Sequence, residues 1–290
     1  MDQPIYYKDL DEGSSEYGSS YWKELNKCPL RFWHRYILRT PAPYEETEIT
    51  ARGTLVHKGC AAFYRRLQVI QEGGNPEEWI PPGDAIRLRA ERGGPLYANQ
   101  LQLSLEIVDH YIQTVGVRDR LRIIAVEAPV KAQCGVTRSG DPVYYDPRVD
   151  LVFMDGEGLL YGMDHKTSGA MVERTYRSFS RSLQFIGLAW LVRELSKPGV
   201  IPGCKGYGGI YLNMIGVNKP FKLLRRPVQV GEQEIQGFPI RRVLDAQRRD
   251  EYIALSKHIG PLAWPKLDND DGCQGRYSPC PYWGVACDGA

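Results

Sequence analysis

The sequence predicts an α/β fold: a mixed central β-sheet flanked by helices, with a helical N-terminal region ahead of it. Three observations predict it. Apolar residues recur at helical spacing through most of the first 120 residues. At Leu121 the pattern changes to runs rich in β-branched and aromatic residues. Three such runs are followed by a long helical segment and a returning strand, the order that gives a mixed sheet covered by helices.

The elements follow in order. From Ser20, "SYWKELNKCPLRFWHRYIL" reads as a short amphipathic helix, a Cys-Pro break and a second helix rich in aromatics and arginine. After the Pro/Glu-rich "TPAPYEETE", Thr50 to Gln71 has helical spacing, with Leu55, Ala62, Phe63, Leu67 and Ile70 recurring near 3.6. A Gly/Pro-rich loop from Gly73 to Gly83 leads to further helix, including "LYANQLQLSLEIVDHYIQTV". "LRIIAVEAPVKAQ", "PVYYDPRVDLVFM" and "GLLYGMDHKT" are the strand-like runs, and the Asp-Gly turn at Asp155 to Gly158 joins the last two as a hairpin. "TYRSFSRSLQFIGLAWLVREL" reads as one long helix, "GYGGIYLNMI" as a strand, "FKLLRRPVQV" as another, and Pro239 to His258 as a charged amphipathic helix. The expected organisation is a helical region over 1–120, an α/β core over 121–260, and a cysteine-rich tail over 261–290 that docks on the N-terminal region.

With 290 residues, 42% hydrophobic and 25% charged, the composition is that of a globular protein, read here as one elaborated domain. The net charge of +2 does not by itself announce a polyanion partner. Of the 37 cations, 25 are arginine, whose planar fork suits phosphate and equally serves surface ion pairs. The opening segment is polar and acidic, and the longest clean apolar run, "IGLAWLV", is too short to span a bilayer, so the expectation is a soluble, intracellular chain without a membrane. Seven cysteines, three of them in the last eighteen residues, point to metal binding before disulfides.

The stretch "LLYGMDHKTSG" carries the chemistry. Residues two apart share a strand face, so Asp164 and Lys166 project together with Gly162, which leaves room beside them, while His165 points the other way. In "RVDLVF" the alternation sets Asp150 opposite Val149, Leu151 and Phe153, and the short turn lets Asp150 lie across from Asp164. Glu127, in the preceding run, is a third acid; a plainer reading leaves it exposed before Pro129. Converging carboxylates repel unless a cation sits between them, and hard oxygen donors suit Mg²⁺ or Mn²⁺. Such an ion polarises a phosphoryl oxygen, and an adjacent lysine stabilises developing charge, which suits phosphodiester hydrolysis. The plainer alternative is a salt bridge on a solvated face.

"VDLV…MDHKT" resembles the PD-(D/E)XK nuclease signature, with Asp150 as the first acid, Asp164 as the second and Lys166 as the lysine. The chain is similar in particular to the RecB-like branch, which includes phage exonucleases and nucleases of CRISPR adaptation. The resemblance runs from about Cys28 to Cys287 and implies a restriction-endonuclease-like core. It also implies a metal-ligating histidine, matched by His57 in "GTLVHKG", and a glutamine after the lysine, matched by Gln184 in "SLQFIGLAW". Two positions depart from the pattern: Val149 stands where the family's proline would be, and Leu188 stands where a tyrosine usually follows the glutamine. From the residues alone, His57 and Gln184 read as hydrogen-bonded core side chains. The resemblance gives His57, Asp150, Asp164 and the carbonyl of His165 as metal ligands. Lys166 and Gln184 complete the catalytic set that the resemblance implies, and Glu127 joins it as a candidate from the residues themselves. An imidazole ligand favours Mn²⁺ over Mg²⁺.

Cys273, Cys280 and Cys287, with Cys28 far upstream, can ligate Zn²⁺ or hold a [4Fe–4S] cluster; the plainer reading is a set of reduced thiols. The resemblance implies iron–sulfur, although the family's usual spacing is tighter. Cys60, Cys134 and Cys204 are isolated and read as structural. Arg174, Arg177 and Arg181 recur at helical spacing before Gln184 and can track a phosphate backbone, or form a solvated face. The aromatics of "RFWHRY" read as packing. The implied function is a metal-dependent deoxyribonuclease, an exonuclease on ends or single strands in recombination, repair or phage DNA processing. It would work in a bacterial, archaeal or phage-infected cytoplasm, with DNA and recombination, replication or integrase proteins as partners. The alternatives are a CRISPR adaptation nuclease, a non-catalytic DNA-binding subunit of nuclease fold, and a metal-stapled interaction module.

Overall fold

The computed structural model describes residues 17–40, 46–170, 173–179, 181–266, 280 and 282. In chain order the helices α1 (Ser19–Lys27) and α2 (Pro29–Phe32) are followed by α3 (Glu48–Gln71), α4 (Pro82–Gly93) and α5 (Pro95–Thr114). Strands β1 (Arg122–Pro129), β2 (Ala132–Val136), β3 (Pro142–Tyr145), β4 (Arg148–Met154) and β5 (Leu159–Ser168) come next. Then follow α6 (Glu173–Phe179), α7 (Leu183–Leu195), β6 (Gly206–Gly216), β7 (Leu223–Pro227) and α8 (Glu232–Ile259). Five strands form a mixed sheet in the order β1-β4-β5-β6-β7, which is the α/β architecture expected from the sequence. No helix among the described residues is long and apolar enough to cross a membrane.

The chain forms two compact units. Among the described residues, one comprises 46–130 and 148–235, and the other 17–40, 131–147 and the residues from 236 onward. The first contains the five-stranded sheet. β4 and β5 pair antiparallel across the turn at 155–158, where Asp155 Oδ1 accepts the N–H groups of Glu157 at 3.0 Å and Leu159 at 2.9 Å. β5 and β6 pair in parallel, which requires the crossover supplied by α6 and α7.

Helices α3 to α5 bury one face of this sheet: Leu55, Val56 and Tyr64 of α3, Ile86 of α4, and Ile107 and Tyr111 of α5 cluster with Leu151, Phe153 and Met163. α3 starts at a capping box in which Thr47 Oγ1 accepts the Thr50 N–H at 3.3 Å and Thr50 Oγ1 accepts the Thr47 N–H at 2.9 Å, worth about 1 kcal/mol. Along α3, Arg65, Gln68 and Gln71 reach the outer edge of β1. They bind the carbonyls of Val126 at 2.7 Å, Ile124 at 3.2 Å and Leu121 at 2.5 Å, while Gln71 Oε1 accepts the Ile123 N–H at 2.8 Å.

Against the other face lies α7. The room expected beside Gly162 is filled by this helix: a Cβ there would sit 2.8 Å from Val192 Cγ2 and 3.1 Å from Leu188 Cδ1. Leu188, which stands at the position of the family's tyrosine, is therefore a packing residue. Gly162→Val should lower stability by about 1–3 kcal/mol, read from the urea midpoint. An unchanged midpoint would mean that α7 is not seated as described.

Three segmentations differ from expectation. The runs read as single strands split at Pro129 and before β4 at Pro147, residues with no N–H to offer a ladder, and the intervening β2 and β3 form a separate antiparallel pair in the second unit. The single long helix is two: Ser182 Oγ accepts the Phe185 N–H at 3.3 Å and starts α7 afresh, so Arg174, Arg177 and Arg181 do not share one helical stripe. α8 begins before Pro239 because Glu234 Oε2 accepts the Gly231 N–H at 3.1 Å and closes its first turn.

In the second unit the aromatics of "RFWHRY" pack. Phe32 is fully buried, with Tyr21 at 4.7 Å and Trp264 at 5.9 Å between ring centroids. Arg31 and Arg35 are taken up by Glu24 at 3.0 and 3.4 Å.

Candidate metal centre and active site

The β4–β5 register pairs Leu151 with Met163, and the next step along both strands sets Asp150 against Asp164. The two are linked through the main chain, because the His165 N–H donates to Asp150 Oδ2 at 2.7 Å. From α3, His57 Nδ1 comes within 3.5 Å of the same oxygen. Glu127 enters from β1, where Val126 pairs with Leu151 and Ala128 with Val149 on either side of it. Its φ of 47° lies in the left-handed region, a conformation that costs a non-glycine residue about 1–3 kcal/mol and that gathers at functional sites. The ligand atoms of His57, Glu127 and Asp150 all lie within 4.8 Å of one another, and the three side chains are partly buried.

The electrostatics of this group are those of a cation site. Burial, and then the neighbouring Asp150, push Glu127 up to about 8, so without a cation it is protonated near neutral pH. Burial also works against the charge of Asp150, yet its carboxyl is held below the usual range by His57, His165 and Lys166 and by the His165 N–H. A divalent ion would relieve the repulsion between the two carboxylates, and two oxygens with one imidazole form a donor set that fits Mn²⁺ or Mg²⁺. When bound, such an ion would polarise a phosphoryl oxygen and acidify a water.

Asp164 stands beside this trio with partners of its own. Lys166 Nζ is 2.5 Å from Asp164 Oδ2, and Gln184 Nε2 of α7 donates to Asp164 Oδ1 at 2.6 Å. Burial pushes Asp164 up to about 6 against the pull of Lys166. Burial opposes the lysine's charge as well, but Asp164 and Asp150 hold it above the usual range, so Lys166 is a cation at neutral pH. Gln184 thus orients Asp164, which in turn anchors Lys166.

Other residues singled out from the sequence fall elsewhere. Arg177 and Arg181 are exposed, whereas the side chain of Arg174 lies outside the described residues. Cys28 and Cys280 are buried free thiols in the second unit, and Cys273 and Cys287 lie outside the described residues.

Behind the site is a buried polar network that sequence reasoning missed. The His165 ring, pushed down to about 3 by burial and hence neutral, lies against Tyr64 at 5.9 Å and 11° between planes. Its Nδ1 is 2.8 Å from Asn213 Nδ2, which also donates to the Tyr111 hydroxyl at 3.0 Å. The hydroxyls of Tyr111 and Tyr64 are 2.6 Å apart, and Tyr64 donates to Asp119 Oδ2 at 2.6 Å. Arg225 bridges the set, reaching Asp119 at 2.6 and 3.1 Å, Tyr111 at 2.9 Å and Tyr64 at 3.1 Å. One signal was available: Asn213 interrupts the apolar strand "IYLNMI", and a buried amide needs partners.

Compared with known proteins, the chain matches the family model of the PD-(D/E)XK nuclease superfamily over residues 20–287. No curated protein gives a significant match. The matched span takes in both aspartates, the lysine, the histidine and the glutamine described above. With these residues gathered at one end of a mixed sheet, the chain belongs to the PD-(D/E)XK nuclease superfamily.

Proposed function

We propose that the protein is an exonuclease of the RecB-like branch that hydrolyses DNA phosphodiester bonds with Mn²⁺ or Mg²⁺ in a cytoplasmic setting. The observation that carries this reading is the convergence of His57, Glu127 and Asp150 within 4.8 Å, beside the Asp164–Lys166 pair. His57, Glu127 and Asp150 would hold the ion, with Asp164 and the His165 carbonyl completing the set. The Lys166 ammonium stabilises the charge that develops on the phosphate, and Gln184 keeps Asp164 and Lys166 in register. The exposed Arg177 and Arg181, with Arg174, contact the DNA backbone. Cys28, Cys273, Cys280 and Cys287 hold a [4Fe–4S] cluster, supported by two buried free thiols in the second unit.

The test is digestion of end-labelled linear DNA and of circular DNA, single- and double-stranded, with Mn²⁺, Mg²⁺ or EDTA. The expected result is metal-dependent release of label from linear DNA with circles untouched. Cut circles would make the enzyme an endonuclease. Intact DNA of every form, still bound by the protein, would leave the non-catalytic subunit.

A further inference from the structure

We infer that Arg225 and Asp119 are positioning residues of the metal centre, acting through Tyr64, Tyr111 and Asn213 on the ring of His165. The inference rests on the nuclease reading above. His165 is the joint of the site: its N–H holds Asp150 Oδ2 at 2.7 Å, and its neighbours in β5 are Asp164 and Lys166. Side chains alternate along a strand, so fixing the His165 ring on one face fixes Asp164 and Lys166 on the other.

The network is organised to do this. Asn213 Nδ2 donates both to His165 Nδ1 and to Tyr111; because Tyr64 gives its own hydrogen to Asp119, the Tyr111 hydroxyl donates to Tyr64. The chain of donors runs one way and ends on the buried Asp119 carboxylate, which Arg225 pairs at 2.6 Å. The guanidinium reaches both carboxylate oxygens and both tyrosyl hydroxyls, all between 2.6 and 3.1 Å. An ammonium cannot form that fork. Tyr64 also sits two turns beyond His57 on α3, so the same anchor sets the helix that presents the histidine. The Tyr111 ring meets His165 edge-on at 6.1 Å and 77°, closing the cage around it. A buried ion pair is a poor source of stability beside apolar residues of the same volume, whereas holding four groups in fixed directions is something apolar residues cannot do.

The experiment measures Mn²⁺ binding to the protein alone by calorimetry, without DNA, together with kcat and KM for DNA cleavage. It compares wild type with Arg225→Lys, Tyr111→Phe and Arg242→Lys. Arg242 is a buried arginine of the second unit, paired with Asp245 at 2.7 Å, and serves as a control for lost stability. Arg225→Lys should weaken Mn²⁺ binding about 10- to 100-fold and lower kcat comparably, with KM for DNA within about twofold. Tyr111→Phe should move both in the same direction by less, and Arg242→Lys should lower the melting temperature and move neither. If Arg225→Lys loses melting temperature only and keeps wild-type Mn²⁺ affinity and kcat, the inference is overturned while the nuclease reading stands. Should Arg225→Lys fail to fold, wild-type Mn²⁺ affinity in Tyr111→Phe overturns it equally. A wild type that neither binds Mn²⁺ nor cleaves overturns both readings together.

Discussion

Asp150→Asn is expected to lower DNA cleavage by about a thousandfold or more while the protein stays folded. The amide keeps the size of the side chain and an oxygen for the His165 N–H, now 2.7 Å from Asp150 Oδ2, so the local hydrogen bond survives. It removes the negative charge that His57 faces at 3.5 Å and that, with Glu127, makes the group attractive to a divalent ion. Lys166→Ala is expected to cost a similar factor by another route. The lysine is not itself a ligand, and losing its positive charge beside Asp164 and Asp150 does not weaken attraction for a cation, so this variant should retain Mn²⁺ binding and fail in turnover. Calorimetry with Mn²⁺ beside single-turnover cleavage separates the two. Cleavage at wild-type rates by either variant would remove the assigned site.

The second large effect is on stability. In EDTA the protein should lose about 1.5 kcal/mol of unfolding free energy between pH 6.5 and 8. The folded Glu127 stays protonated until about 8 because it is buried and faces Asp150, while its unfolded counterpart ionises near 4.5. The unfolded state therefore gains about 1.36 kcal/mol per pH unit at the start of that interval and about half as much at pH 8, and stability falls as pH rises. Below pH 6.5 the trend is mixed: Asp164, raised to about 6, adds to the loss with rising pH. His165, lowered to about 3 from 6.5, does the opposite, since its unfolded counterpart takes up a proton as pH falls. Above pH 6.5 Glu127 dominates, with the tail of the unfolded His165 titration offsetting it by about 0.4 kcal/mol. The Cys60 thiol, pushed up by burial, begins to matter only where free thiols ionise, above the window. Urea denaturation at a series of pH values in EDTA reads the slope, and Glu127→Gln should abolish it. Saturating Mn²⁺ should reverse it, because binding to deprotonated ligands strengthens as pH rises. A flat wild-type profile in EDTA would mean that Glu127 is not held in this pocket.

How far the site could be read from the sequence depended on distance along the chain. The hairpin was legible because an Asp-Gly turn at 155–158 sets the register, and the register brings Asp150 to Asp164. The common face of Asp164 and Lys166 followed from strand periodicity alone. Glu127 was legible as an acid and not as a ligand, because its approach depends on a φ of 47° that no local preference requests. Gln184 drew notice as an amide on an apolar helix, and its partner Asp164 lies twenty residues away. The Arg225 network was out of reach: its contacts join residues 106 to 161 positions apart, and only the finished packing of α3, α5, β6 and β7 makes them neighbours. The broken arginine helix was missed because one capping serine outweighed an unbroken helical pattern.

The amide zipper that α3 lays along β1 has a consequence for how molecules of this protein can meet. A strand at the margin of a sheet usually offers a free row of N–H and carbonyl groups, to which a second chain can add by backbone pairing. Here Arg65, Gln68 and Gln71 already occupy the row from Leu121 to Val126. Extension of the five-stranded sheet is left to its other margin, β7, where Pro227 and the neighbouring Arg226 stand at the end of a five-residue strand. The helix that brings His57 to the carboxylates also seals that margin against backbone pairing.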